Sequence, residues 1–256
     1  MSLYFKTFAG RTIYRSSSME VQQNRWYRWL MFQNRTHIQT LIQRKHPHKA
    51  AMPYLYPFTL ALRTQPGPTC LLGLGGGGLL HMAAPCLQQH PITAVELSAE
   101  VITLGYQYFM LDTIPSLTIL QQDAHTFINS DQSTYQHILI DIYSDTSFPE
   151  NCAQQVFFQQ CKQHLLPNGF LAINLVNVQQ ELPILERIKS VFHNATVCIP
   201  VPSSTNMIVL ATQSKPALLA FITSHPKLSA FIWDPGFGYM AQFSKTTAEP
   251  RSFRWI

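Results

Sequence analysis

Charge is scarce in this chain. Lysine, arginine, aspartate and glutamate together make up 12% of its 256 residues, about half the usual share, while hydrophobic residues make up 46%. That balance excludes disorder of the acidic or basic kind for the bulk of the chain. The length suits one large α/β domain, or a domain of about 190 residues with a smaller partner. No run of 18 apolar residues occurs, and Met1 to Lys6 shows no apolar stretch leading to a small-residue cleavage site, so the expectation is a soluble, cytoplasmic protein with no membrane contact. Five cysteines (Cys70, Cys86, Cys152, Cys161, Cys198) form no Cys-x-x-Cys pair, which argues against a disulfide framework or zinc ribbon and for reduced, partly buried thiols. Ten histidines show no metal-ligand spacing; His46-Pro-His48 reads as a loop, and no metal is expected.

The little charge present is unevenly placed. Residues 1–66 carry ten lysines and arginines against one acid, Glu20, whereas residues 67–213 carry ten acids against three bases. Two structural units of opposite sign are implied. A cleft in the acidic unit would draw cations. The basic unit could meet an acidic partner, nucleic acid or the other half of its own chain; its bases form no dense run, so the last is preferred and nucleic acid is disfavoured.

Punctuation at Gln65-Pro-Gly-Pro68 marks the boundary. Before it, β-favouring pieces around 19–21, 26–32 and 36–42, with Gln33-Asn34 as a turn, predict a small antiparallel sheet, followed by a helix over 54–62. After it, short apolar runs alternate with amphipathic ones, the pattern of parallel βαβ units. Strands are predicted over 69–74, 92–97, 117–120, 137–142 and 170–175, and helices over 78–89, 99–109, 124–128, 152–164 and 181–192, with a turn at Pro167-Asn-Gly169. Runs at 196–201 and 207–212 are joined by too short a link for a crossover, so the sheet should end in a hairpin with one reversed strand. The expected organisation is a β-domain over 1–66, a catalytic domain over 67–213 and an extension over 214–256 that packs on the core or on another subunit.

The strongest motif is Leu71-Leu-Gly-Leu-Gly-Gly-Gly-Gly-Leu-Leu80, a strand running into four consecutive glycines that open a helix. Such a loop turns tightly and lets a ligand approach the backbone and the helix N-terminus. Gly73, Gly75 and Gly78 satisfy G-x-G-x-x-G, and Glu96 ends the next strand, where an acid binds a ribose hydroxyl or else caps the following helix. This pattern suits NAD and adenosylmethionine equally. Asp123-Ala124, after the third strand, can accept an adenine amine and let the ring lie flat, or Asp123 can simply be a helix N-cap. Asp141 ends the fourth strand beside the first, where open α/β sheets place ligands, and there a carboxylate could take the proton of an attacking amine.

The order of the glycine loop, Glu96, Asp123-Ala124 and Ile140-Asp-Ile-Tyr-Ser-Asp145 resembles the polyamine aminopropyltransferases, the spermidine synthase family, on the class I methyltransferase fold. The resemblance runs from about Tyr14 to Thr212. It implies that Gln39, ending a strand pair of the β-domain, contacts the cofactor, that Gly73, Gly75 and Gly76 shape the cofactor loop, that Glu96 holds the ribose and that Asp123 with Ala124 reads the adenine. It further implies Asp141 as the catalytic acid-base residue, with Tyr54, Tyr143 and Asp145 near the substrate, and a homodimer. Three positions depart from the family pattern. Gly76 stands where an aspartate usually holds the aminopropyl amine, Asp141 and Asp145 are four apart rather than three, and Leu55-Tyr56 replaces a His-Glu pair.

The resulting expectation is an α/β transferase that moves an aminopropyl group from decarboxylated S-adenosylmethionine to a cationic polyamine. A methyltransferase using S-adenosylmethionine itself, for which Gly76 would leave room for the carboxylate, is one alternative. A nucleoside-binding homologue without turnover is another, and an NAD-dependent dehydrogenase ranks below both.

Overall fold

In the computed structural model, residues 9–32, 38–143, 148–225 and 228–243 are described. Strands β1 (Arg11–Arg15), β2 (Met19–Gln23), β3 (Tyr27–Phe32) and β4 (Ile38–Gln43) form an antiparallel sheet in sequence order. Strand β1 was not anticipated: its Arg11 and Arg15 are exposed, so its apolar alternation is short. The β2–β3 turn is tied by Asn24, whose Oδ1 accepts the backbone N–H groups of Trp26 (2.9 Å) and Tyr27 (2.8 Å). Gln33-Asn34 lies outside the described residues. One face of this sheet (Met19, Val21, Leu30, Ile42) packs on Val101, Leu104 and Phe109 of the following unit. Two short helices, α1 (Leu55–Phe58) and α2 (Leu60–Thr64), stand where one was predicted. The break falls at Thr59, whose backbone leaves the helical region.

The second unit runs β5 (Thr69–Leu72), α3 (Gly78–Ala83), β6 (Ile92–Glu96), α4 (Ala99–Phe109), β7 (Leu117–Gln121), α5 (Ala124–Ser130), β8 (Tyr135–Ile140), α6 (Gln155–Gln163), β9 (Leu165–Leu175), α7 (Val178–Val191), β10 (Thr196–Pro200), β11 (Met207–Thr212), α8 (Lys215–Ser224), β12 (Leu228–Asp234) and β13 (Gly238–Phe243). The sheet order is β12-β13-β10-β11-β9-β8-β5-β6-β7. Strand β5 is buried along its whole length, as a central parallel strand must be. Leu71 joins the core on one face, Cys70 and Leu72 the core on the other.

Strand β11 is the reversed one, antiparallel to both β9 and β10, as the short link at 202–206 requires. The sheet does not end there. The aromatic C-terminal segment adds β13, parallel to β10, and β12 beyond it, so the backbone edge that β10 would have left open is paired. The turn expected at Pro167–Gly169 is present as an interruption within β9: the pairing with β8 skips from Leu165 to Phe170, and Asn168 takes φ +63°.

Candidate functional site

The strand order reverses at β5. Chain leaving β5 crosses to β6 on one side, and β8 returns on the other, which opens a crevice beyond their carboxyl ends. Gly73 and Asp141 are the first residues past β5 and β8. The Asp141 N–H donates to the Leu72 carbonyl (2.8 Å), and the Gly73 N–H to that of Val95 (2.9 Å). At Gly73, φ is +91°, and a Cβ would collide with the Asp141 carbonyl, so glycine is required twice over.

Beyond Gly73 the loop is held from the N-terminal sheet. Gly75 has φ +51°, and a Cβ on it would lie 2.7 Å from Thr40 Oγ1. That oxygen accepts the buried Gly76 N–H at 2.7 Å. Gln39 is the extra residue of a bulge, since β3 pairs Leu30 with Thr40 and Met31 with Ile38. The bulge sets its carbonyl against Gly75. A Cβ at Gly76 would meet the Thr40 methyl at 2.9 Å and the Phe109 ring at 3.1 Å. Gly76 therefore packs against Thr40 and Phe109, where the sequence reading imagined room for a ligand carboxylate.

Glu96 braces the same loop. Its Oε2 accepts the Leu74 N–H (3.0 Å) and its Oε1 the Ser98 N–H (2.9 Å), leaving each oxygen a lone pair for a ribose hydroxyl. Glu96 does not cap α4; Ser98 does, through Oγ and the Val101 N–H. Asp123 is the N-cap of α5, with Oδ1 accepting from the N–H and hydroxyl of Thr126 (2.9 and 3.1 Å). Its Oδ2 makes no hydrogen bond among the described residues. Ala124 is buried beside Val95 and Phe127.

Asp141 carries the densest polar contacts. The Tyr54 hydroxyl donates to Oδ2 (2.8 Å) and Asn174 Nδ2 to Oδ1 (2.9 Å). Asn206 Nδ2 donates in turn to Asn174 Oδ1 (2.9 Å), which orients that amide. Burial raises the Asp141 pKa above the usual carboxylate range, and the two donors only partly offset it. Burial and the Asp141 charge raise Tyr54 well above an ordinary phenol, so it stays a donor. The result is a carboxyl group fixed in orientation, with one lone pair free on each oxygen and a heightened affinity for a proton.

Tyr143 commits its hydroxyl elsewhere. It donates to the Asn174 carbonyl (2.7 Å) and accepts the Val176 N–H (2.9 Å), with Glu181 Oε2 at 3.3 Å. The ring packs edge-on against Phe148. This ties the loop after β8 to the end of β9 and α7. Asp145 lies outside the described residues. Thr40, Asn174 and Asn206 were not singled out as site residues from sequence; Asn174, at the end of a strand facing the crevice, had the only local signal.

The groups bordering the crevice (Glu96, Asp123, Asp141) are acidic, which suits a ligand carrying positive charge. Among the described residues no cluster of three or more histidine, cysteine, aspartate or glutamate side chains could hold a metal ion, and no helix is long and apolar enough to cross a membrane.

No protein-family model matches the chain. A probable polyamine aminopropyl transferase of Bifidobacterium longum is 25% identical over 157 residues, 59% of this chain and 35% of that protein. The polyamine aminopropyltransferase of Neisseria meningitidis serogroup A is 24% identical over 184 residues, 70% of each chain. The chain thus spans 35% of the Bifidobacterium protein, and 57% of a further aminopropyltransferase from Chromobacterium violaceum. Among solved structures, a probable spermidine synthase from Corynebacterium glutamicum superposes with TM-score 0.69 at 16% identity, covering 93% of this chain and 91% of that one. Human methyltransferase-like protein 13, solved with SAH, superposes with TM-score 0.56 at 23% identity, covering 69% and 88%. In sequence this chain is thus similar to polyamine aminopropyltransferases at 24–25% identity, and its architecture is the one shared by spermidine synthases and methyltransferase-like proteins.

Proposed function

We propose that the chain is a transferase that binds an adenosylmethionine-type sulfonium in the crevice beyond β5, β6 and β8 and passes its aminopropyl group to a polyamine. The observation that carries this reading is Asp141, held by Tyr54 and Asn174 next to the glycine loop. In that reading Glu96 meets the ribose hydroxyls with its remaining lone pairs, and Asp123 Oδ2 accepts the adenine amine. A neutral acceptor amine attacks the aminopropyl carbon attached to sulfur. The new C–N bond forms as the C–S bond breaks, methylthioadenosine leaves with the bonding pair, and Asp141 takes the proton lost by the amine.

Both the decarboxylated donor, with its sulfonium and ammonium, and a polyamine suit an acidic crevice. The fit is incomplete at Gly76, which supplies no carboxylate for the aminopropyl amine. Since Thr40 and Phe109 fill the space beside Gly76, it is the missing carboxylate, not free room, that favours a second reading, transfer from S-adenosylmethionine itself, with which the fold match to a methyltransferase is compatible. Parallel calorimetric titrations with decarboxylated S-adenosylmethionine, S-adenosylmethionine, methylthioadenosine and NAD separate the readings. Preference for the decarboxylated donor or methylthioadenosine supports aminopropyl transfer, preference for S-adenosylmethionine supports the second reading, and binding of NAD alone removes both.

A further inference from the structure

The basic N-terminal segment remains unexplained by the crevice. Its cations converge on one side of the small sheet. A cavity of about 280 Å³ is lined by Arg25, Arg28, Ile42, Arg44, Lys45 and Met110, at the low end of small-ligand pockets. A wider opening next to it, about 530 Å³, shares Arg25 and Arg44 and adds Arg11. Among the described residues no acid lines either space. The ion pairs formed among the described residues are Arg15 with Glu20 and Lys189 with Glu186, so all five of these cations lack a carboxylate partner there. Among the described residues, then, ion pairing with carboxylates of the acidic half is not what holds them.

Arg28 is the fixed member. It is half-buried, its Nε and Nη2 both donate to Gln23 Oε1 (3.1 and 2.8 Å), and its Nη1 donates to the Tyr108 carbonyl at the end of α4. Five N–H groups less these three leave one on each terminal nitrogen. Arg44 is anchored by donating from Nη1 to the Asn24 carbonyl (2.9 Å), which holds a second guanidinium at the same recess. Burial, and after it the charge of Arg44, depress the Arg28 pKa. Gathering uncompensated cations around a recess is unfavourable unless a negative ligand relieves it.

We infer that the recess bounded by Arg25, Arg28, Arg44 and Lys45 is a binding site for a small anion bearing two or more phosphate groups. Guanidinium forks match phosphate oxygens in pairs, and two anchored arginines with two exposed cations can meet more than one phosphate. The half-buried position of Arg28, inside a bounded recess, favours a small ligand over a nucleic-acid strand, which needs an extended track. None of the candidate crevice residues lines this recess.

Calorimetric titration of the full chain with inorganic tripolyphosphate at low salt tests the site. The expected result is saturable binding that weakens as chloride rises, drops at least tenfold in Arg28→Gln and drops about tenfold in the double variant Arg25→Gln, Lys45→Gln. Arg25 and Lys45 are exposed and make no side-chain hydrogen bond among the described residues, so the double variant keeps the fold if Arg28→Gln does not. Arg187→Gln, whose side chain bonds the Ala153 carbonyl away from the recess, should bind like the parent. No binding of tripolyphosphate, or binding equally strong in the double variant, overturns the inference. Binding of a single-stranded oligonucleotide without tripolyphosphate binding overturns it in favour of a nucleic-acid surface.

Discussion

Replacing Tyr54 by phenylalanine removes one oxygen and with it the hydrogen bond donated to Asp141 Oδ2 at 2.8 Å. A hydrogen bond to a charged, largely enclosed carboxylate contributes about 1.5–3 kcal/mol. At about 1.4 kcal/mol per pKa unit, its loss should raise the Asp141 pKa by about one to two units beyond a value that burial has already raised. The folded state then holds its proton to higher pH than the unfolded chain does, so stability falls as pH rises between the two values. Tyr54→Phe should therefore lose more stability at pH 8 than at pH 4. Carboxyl carbon chemical shifts of aspartate-labelled protein follow the titration, with the Asp141 signal assigned by its loss in Asp141→Asn. Asn174→Ala should move the midpoint in the same direction, since it removes the other donor. A midpoint that stays put or moves down in a variant with unchanged circular dichroism would refute the claim that Tyr54 tunes Asp141.

The remaining predictions address the loop and the core. Thr40→Val leaves the buried Gly76 N–H without its acceptor and should cost about 1–3 kcal/mol in denaturant unfolding, with weaker nucleoside binding by calorimetry. Gly76→Asp, which restores the residue typical of the resembled family, should destabilise by about 1–3 kcal/mol because its Cβ meets the Thr40 methyl and the Phe109 ring; a gain in affinity for the decarboxylated donor with unchanged melting temperature would contradict this packing. His137 is buried, donates Nε2–H to the Gln65 carbonyl (2.7 Å), and has its pKa lowered by burial to about 4. The unfolded chain takes up the proton first, so stability is lost as pH falls from about 6.5 towards 4, by about 3 kcal/mol in all. His137→Gln should flatten that part of the stability profile.

Most of the crevice was legible in the sequence because its residues sit where a backbone rule applies. Gly73 and Asp141 end adjacent parallel strands, Glu96 ends the next, and Asp123 begins a helix, so position alone narrowed their roles. Thr40, Asn174 and Asn206 were harder. Each matters through a partner more than 30 residues away, Gly76, Asp141 and Asn174 respectively, and only the folded topology brings the pairs together. Room for a ligand carboxylate at Gly76 is suggested by its standing where the resembled family has an aspartate, whereas Phe109 and Thr40 fill the space a side chain would occupy. The C-terminal strands were missed for a different reason. The adjacent Ile232 and Trp233 are both exposed on an edge strand, so this stretch of β12 does not alternate in the way from which a strand is read. The basic segment looked like a match for the acidic half, but Arg25, Arg28 and Arg44 converge through the hairpin turn and the end of β4, not through charge pairing.

The central claim is that Asp141 serves aminopropyl transfer, and the most direct measurement is turnover. Protein incubated with decarboxylated S-adenosylmethionine and a panel of diamines and polyamines, followed by mass spectrometry, should release methylthioadenosine in equal amount to an aminopropylated amine, and Asp141→Asn should lower that rate at least a hundredfold. No turnover of the decarboxylated donor, together with methylated product and adenosylhomocysteine formed from S-adenosylmethionine, would contradict the account.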